Sequence, residues 1–194
     1  MLRLEAELYT IGHSNHPIEQ FLDLLRGSGI ELVADVRSRP YSRFVPHFGK
    51  ERLERILAEE GIGHLFLGLE LGGKPTSSNP ARFAPDYQAR IRDPGLGKGI
   101  ERLLEGAAAR RTALLCRERD PLDCHRLHLV CRYVRGMIGP IRHILPDGSI
   151  EEQPTTERRL LERLHGRQPT LFDAASDEAA LDLAYDRWWH APGP

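Results

Sequence analysis

The sequence predicts an α/β protein: a mostly parallel sheet of about five strands with helices on both faces, in a single domain. Three observations predict it. Short apolar runs containing β-branched residues alternate with longer stretches of helical period. No internal repeat or low-complexity segment interrupts that rhythm. The length of 194 residues and the 40% hydrophobic content suit one core, since a folded part of about 150 residues buries roughly 68–70% of its unfolded surface without staples.

The elements follow in order. Leu8-Tyr9-Thr10-Ile11 reads as the first strand. Pro17 starts a helix with Ile18, Phe21, Leu22, Leu24 and Leu25 on its apolar stripe, closed by Gly27-Ser28-Gly29. Residues 30–36 form the second strand, 50–60 the second helix and 65–67 the third strand. A helix over 100–109 leads to the fourth strand at 112–116. Asp120 caps a helix with Pro121 at its first position, running to about residue 135. The fifth strand spans 141–145 and the last domain helix 155–164. The domain thus covers 1–165, and 166–194 reads as a C-terminal tail with one short helix near 178–188. Residues 68–99 carry Gly, Pro, Ser and Asn and are too long for a plain connection, which marks a lid or binding loop.

Charge and cysteine usage exclude several classes. With 27 basic and 28 acidic residues, the formal net charge is −1. A protein that coats nucleic acid is strongly basic, so any anion binding here is local. Three cysteines, an odd number, do not suggest a disulfide framework. No apolar run reaches the roughly 18–20 residues of a membrane span, and the N-terminal residues lack the apolar core of a signal peptide. A cytoplasmic protein with no membrane partner is the expectation.

Function is read from the loops. Ligands in an open parallel sheet sit outside the carboxyl ends of the strands. Loops entering strands hold punctuation: Gly27-Ser28-Gly29, Gly61-Ile62-Gly63 and Gly139-Pro140. Loops leaving strands hold reactive groups: Gly12-His13-Ser14-Asn15, the run from Asp35 to Arg43, Gly72-Gly73-Lys74, and Cys116-Arg117-Glu118-Arg119-Asp120. This one-sided loading predicts a pocket for an anionic, phosphate-bearing ligand.

Arg37, Arg39, Ser42, Arg43, Arg117 and Arg126, with Ser14 near the first strand exit, are the ligand-binding candidates. A guanidinium is a planar fork that matches phosphate or carboxylate with two hydrogen bonds. The same arginines on a solvated surface would simply pair with Asp35, Glu51 or Glu118. His13 and His125 are proton-transfer candidates, because imidazole titrates near neutrality. Asp35 and Glu118 are acid/base candidates, held ionised by neighbouring arginines, or else structural partners that orient them. Cys116 at a strand exit and Cys124 in a first helical turn are both nucleophile candidates, the second because a helix N-terminus lowers a thiol's pKa. Buried packing as small apolar groups is the alternative for both, and Cys131 falls on the core pattern. Neither cysteine opens a Cys-x5-Arg loop, since Leu122 and Val130 stand at the sixth positions. A zinc site from Cys116, Cys124, His125 and His128 lacks finger spacing and any Cys-x2-Cys pair, so no metal or cofactor is expected.

Three ordered motifs also carry a resemblance: Thr10-Ile11-Gly12-His13-Ser14, Asp35-Val36-Arg37-x-x-Pro40-x-Ser42-Arg43, and Leu114-Leu115-Cys116-x-Glu118-x-x-Pro121-x-x-Cys124-His125-Arg126. Together they resemble the family called domain of unknown function 488, over roughly residues 6–150. The resemblance implies an α/β domain and a shared site at His13, Ser14, Asp35, Arg37, Pro40, Arg43, Cys116, Glu118, Cys124, His125 and Arg126. It implies no reaction.

In the tail, Gln168-Pro169-Thr170-Leu171-Phe172 looks like the Gln-x-x-Leu-Phe peptide that docks on sliding clamps. Gln168, Leu171 and Phe172 are the partner-binding candidates; the alternative is that Leu171 and Phe172 fold back onto the domain. Three functions are therefore carried forward. The first is an enzyme acting on a phosphate-containing nucleotide or nucleic acid. The second is a non-catalytic, nucleic-acid-associated adaptor recruited by the clamp-like peptide. The third is a thiol or redox protein using Cys116 and Cys124.

Overall fold

The computed structural model describes residues 3–73, 86–165 and 177–190. Its sheet has six strands: β1 (Leu8–Gly12), β2 (Leu32–Asp35), β3 (Gly63–Phe66), β4 (Thr112–Cys116), β5 (Ile141–Ile144) and β6 (Ile150–Glu152), in the order β3-β2-β4-β1-β5-β6. All neighbours are parallel except β5 and β6. The α/β class and mostly parallel sheet agree with the sequence reading, which missed only β6. That strand is three residues long, and both of its isoleucine and glutamate ends are exposed, so it lacks an apolar alternation to recognise. The Asp147-Gly148 turn before it is the cue that was available.

Helices α1 (Ile18–Gly27) and α2 (Lys50–Glu59) cover one face of the sheet. Further helices are α3 (Gly68–Leu71), α4 (Tyr87–Ile91), α5 (Pro94–Ala109), α6 (Arg132–Val134), α7 (Gln153–His165) and α8 (Asp177–His190). Strand side chains alternate between faces, and the core divides accordingly. Tyr9, Ile11, Val33, Ala113 and Leu115 meet Phe21, Leu25, Leu53 and Leu57 from α1 and α2. Leu8, Ala34, Leu114 and Cys116 face the other way, onto Leu103, Leu127, Leu160 and Tyr185. No helix among the described residues is long and apolar enough to cross a membrane.

One element differs from the sequence reading, and another is described only in part. The single helix expected from Asp120 onward is broken. Asp120 does cap, accepting from the Leu122 amide, but only a 3-10 turn follows at Pro121–Asp123. Cys124 is extended (φ −132°, ψ 139°), and Arg126–Cys131 is then wound in π turns. The physical consequence appears below, because the break aims consecutive side chains at one point. The 166–194 tail also divides. Residues 166–176, with Gln168, Leu171 and Phe172, lie outside the described residues. The short helix expected near 178–188 is α8, and it packs on the domain: Tyr185 is fully buried in the larger core cluster, Arg132 pairs with Asp182 and Asp186, and Trp188 stacks on His128 at 4.8 Å. The loop proposed at 68–99 is in part helical, carrying α3, α4 and the start of α5, while residues 74–85 lie outside the described ones.

His143 on β5 is held neutral by its surroundings. It is fully buried between the Thr10 hydroxyl at 2.8 Å and Gln153 Oε1 at 2.9 Å. Burial, and then the charge of Arg126, push its pKa from 6.5 down to about 3. A histidine depressed on folding contributes stability that is present above its unfolded pKa and lost as pH falls towards the folded value. We expect this residue alone to cost about 1 kcal/mol of stability per pH unit below about 6.5. Urea midpoints measured between the histidine and carboxylate ranges should therefore fall less steeply in His143→Gln than in the native chain, and equal slopes would refute the assignment.

Candidate functional site

Strand order decides which loops meet. β4 lies between β2 and β1, so the exits carrying Cys116, Arg37 and His13 are immediate neighbours at the carboxyl edge. Gly12 pairs in register with Cys116, and Asp35 with Leu115. Beyond the strands the two exits stay joined: the His13 amide donates to the Cys116 carbonyl at 2.9 Å, and the Ser14 amide to the Arg117 carbonyl at 2.8 Å. Ser14 takes a left-handed φ of 46° to make this turn.

A cavity of about 330 Å³ opens there, lined by His13, Arg37, Ser38, Arg39, Tyr41, Ser42, Gly73, Cys116, Arg117, Glu118 and His125. Eight of the residues singled out in the sequence converge on it. Ser38 and Tyr41 were not singled out; adjacency to Arg37 and Arg39 on the same loop was the only signal. Five candidates stand elsewhere. Ser14 bonds Asn15. Arg43 lies over the Phe44 ring at 4.8 Å and lines a neighbouring cavity with Arg52 and Arg55. Asp35, Cys124 and Arg126 lie beneath the cavity wall.

The arginines divide by environment. Arg37 is nearly buried and forks onto Asp35, with Nε to Oδ1 at 2.8 Å and Nη2 to Oδ2 at 2.6 Å, while Nη1 donates to the Phe48 carbonyl. Its charge is therefore already answered, and it forms wall rather than free grip. Burial would raise the Asp35 pKa, but the bonds from Arg37 and the nearby His64 ring, 3.5 Å away, outweigh that and hold it at about 2. Asp35 thus remains a permanent anion with no exposed surface; its geometry is that of an ion pair orienting Arg37. Arg126 is wholly buried, its Nη1 donating to the Glu118 carbonyl and its Nη2 to the Arg119 carbonyl at 3.1 Å. It ties down the β4 exit from below. Arg39 and Arg117 are the exposed guanidiniums on the cavity itself. Arg39 has no ion-pair partner among the described residues, and Arg117 reaches Glu118 only at 3.6 Å.

His13 stacks on Phe48 at 4.3 Å and bonds the Ser14 carbonyl through Nδ1 at 2.9 Å. A carbonyl only accepts, so Nδ1 carries the proton and Nε2 the lone pair. Burial, and then the charge of Arg37, lower its pKa to about 3. His13 is therefore a neutral acceptor at physiological pH, a weaker base than the sequence suggested.

The floor is a cluster of Cys116, Glu118, Cys124 and His125. Both thiols donate to the same carboxylate oxygen, Glu118 Oε2, at 3.0 and 3.3 Å. These bonds outweigh burial and hold Glu118 at about 2. His125 Nδ1 lies 3.5 Å from the Cys116 sulfur and 3.9 Å from that of Cys124. Burial opposes a charge on this ring but is outweighed by the Cys124 sulfur and Glu118, so its pKa is raised. The lowered thiol pKa expected at Cys124 is reversed: burial, and then Cys116, push it well above the ordinary value, and the residue does not sit in the first turn of a regular helix. Cys131 is core, as expected, and burial raises its pKa as well. His128, considered with the cysteines in the sequence, points away and bonds the Leu122 carbonyl at 2.8 Å.

The fold and this edge define an α/β protein with a polar, arginine-walled cavity at its strand exits. Residues 17–133, more than half of the chain, match the family described as domain of unknown function DUF488, and the chain belongs to that family. The match takes in the second and third motifs, while Thr10–Ser14 lies ahead of it. No curated protein and no solved structure matches the sequence.

The joined exits require close backbone approach. A Cβ on Gly12 would lie 1.8 Å from the Glu118 carbonyl oxygen, the atom that Arg126 holds. Gly12→Ala is expected to destabilise the protein by about 1–3 kcal/mol through overpacking and to displace the Glu118 turn. Urea denaturation checks the first effect; unchanged stability would mean that the turn yields freely.

Proposed function

We propose that this protein is an enzyme acting on a phosphate-containing substrate, a nucleotide or nucleic acid, held in the strand-exit cavity. The observation that carries this reading is the pair of exposed guanidiniums, Arg39 from the β2 exit and Arg117 from the β4 exit, on one cavity floored by Cys116, Glu118 and His125. Guanidinium forks suit phosphate oxygens, and a cavity of about 330 Å³ lies within the size range of small-ligand sites. Glu118 is ionised at neutral pH, so an anion approaching the floor needs both arginines to offset it. An exposed aromatic ring, Tyr41 at 64% of full exposure, lines the site, and Phe44, exposed at 80%, follows three residues later on the same loop. Such rings offer faces on which a base can stack, which favours a nucleotide over a bare phosphate ester. His13 presents an acceptor at Nε2, suited to orienting a hydroxyl or water rather than storing a proton.

Calorimetric titration with a nucleoside monophosphate, beside the matching nucleoside, tests this. Only the nucleotide should bind, and Arg39→Ala or Arg117→Ala should each weaken it roughly 10- to 100-fold, the loss of one charge-assisted contact. Arg43→Ala, in the neighbouring cavity, should change it less. Equal binding of nucleotide and nucleoside, or full affinity in folded Arg39→Ala, would refute the reading.

A further inference from the structure

We propose that Cys116, Glu118, Cys124 and His125 bind one divalent transition-metal ion of the zinc type at the floor of the cavity. One ligand atom from each of the four side chains lies within 4.8 Å of all the others. Zinc bonds of about 2.3 Å to sulfur, 2.0–2.1 Å to nitrogen and 2.0–2.2 Å to oxygen, set tetrahedrally, imply ligand-to-ligand edges of about 3.3–3.8 Å. The sulfur-to-nitrogen edges are 3.5 and 3.9 Å, and the sulfur-to-oxygen edges 3.0 and 3.3 Å. Four of the six edges are thus within about 0.6 Å of those lengths, and the other two are no longer than 4.8 Å, so modest side-chain movement would bring the four atoms onto one ion.

The surroundings fit an ion as well as the corners do. His125 Nε2 lies 3.1 Å from the Val36 carbonyl. Because that oxygen only accepts, Nε2 carries the proton and Nδ1 turns a bare lone pair towards both sulfurs. This is the outer hydrogen bond that orients metal-binding imidazoles. The Arg126 amide donates to the Cys124 sulfur at 3.4 Å, an arrangement that supports a thiolate. Two thiolates, one carboxylate and a divalent cation leave one net negative charge. Arg126, wholly buried and with no carboxylate partner among the described residues, stands beside the cluster to offset it. Sulfur and imidazole donors select zinc-like ions over magnesium or calcium.

Cys124 lies behind the cavity wall, whereas Cys116, Glu118 and His125 reach the cavity surface. Cys116, Cys124 and His125 are at most 8% exposed and act as the fixed ligands. Glu118, with 26% of its side chain exposed, occupies the corner that faces a guest. The ion therefore sits where a phosphate gripped by Arg39 and Arg117 would meet it. Its binding rests on the ligand geometry alone; its use as a Lewis acid towards a phosphate rests on the function proposed above.

The test uses the full chain, stripped with a chelator and titrated with Co²⁺. One equivalent should bind, with thiolate-to-cobalt charge-transfer absorption and visible bands of tetrahedral intensity, and Zn²⁺ should abolish both. Cys116→Ser and Cys124→Ser should each remove most of the charge-transfer band, and Cys131→Ala should keep it. Should a cysteine variant fail to fold, Glu118→Gln carries the comparison, with Zn²⁺ affinity lowered by about tenfold or more. A folded native chain that binds no Co²⁺, or binds it with a weak octahedral spectrum, overturns the proposal and leaves a hydrogen-bonded thiol–carboxylate cluster. Nucleotide titration of the metal-free chain separates the two readings. Loss of nucleotide binding in Arg39→Ala with the cobalt spectrum intact supports both. A cobalt spectrum without any nucleotide binding keeps the ion and removes the proposed substrate.

Discussion

Arg126 is a guanidinium without exposed surface, and what it holds is main chain: the carbonyls of Glu118 and Arg119 accept from its terminal nitrogens. Removing a cation from water costs several kcal/mol unless its hydrogens find acceptors. Among the described residues, the acceptors that its two terminal nitrogens find belong to the turn that leaves β4. The arginine and the turn therefore fix each other. Gly12 permits the arrangement from the opposite side, since any Cβ there would occupy the space of the Glu118 carbonyl. The Cys116–Arg119 turn is thus clamped between a glycine on β1 and a cation on the following helical segment, and Glu118, Arg117 and Cys116 take their directions from that clamp.

Arginine serves three different purposes within a few ångströms of this edge. Arg126 braces backbone. Arg37 is neutralised by Asp35 through two short bonds and gives the β2 exit a rigid wall. Arg39, two residues later and past the strand, is exposed and unpaired among the described residues. Burial and partner geometry separate these uses, and only the last leaves a full fork for a guest. Clustering in the sequence signals that anion chemistry belongs here, but it does not say which guanidinium is already spent.

That distinction marks how far the sequence could be read. Strand–helix alternation predicted the parallel sheet, and loaded strand exits predicted the edge where the cavity lies, because both depend on local pattern and on a topological rule. What stayed hidden depends on contacts between distant segments. The start of α5 was placed late because Gly95, Gly97 and Gly99 weaken the helical signal. Gly99 is nevertheless required, as a Cβ there would meet Glu70 at 2.5 Å where α3 crosses. His64, 3.5 Å from Asp35, had no signal at all, since its role follows from β3 pairing with β2. α8 was assigned to a tail because its polar and apolar residues are poorly segregated; Tyr185 and the Arg132 pairs become visible only when the helix is docked.

The largest departure from local expectation, the broken helix after Asp120, is also the one that builds the floor. On a regular α-helix consecutive side chains diverge by about 100°, so Cys124 and His125 could not both approach Cys116. An extended residue at Cys124 followed by π winding brings both onto the same carboxylate and sulfur. Wide turns of this kind are rare overall and frequent at functional sites. Local propensity at Leu127-His128-Leu129-Val130 would close an ordinary helix. The segment is wound in π turns instead, and a stretch that breaks its own local rule beside a buried cluster of this kind marks the point around which the rest of the edge is organised.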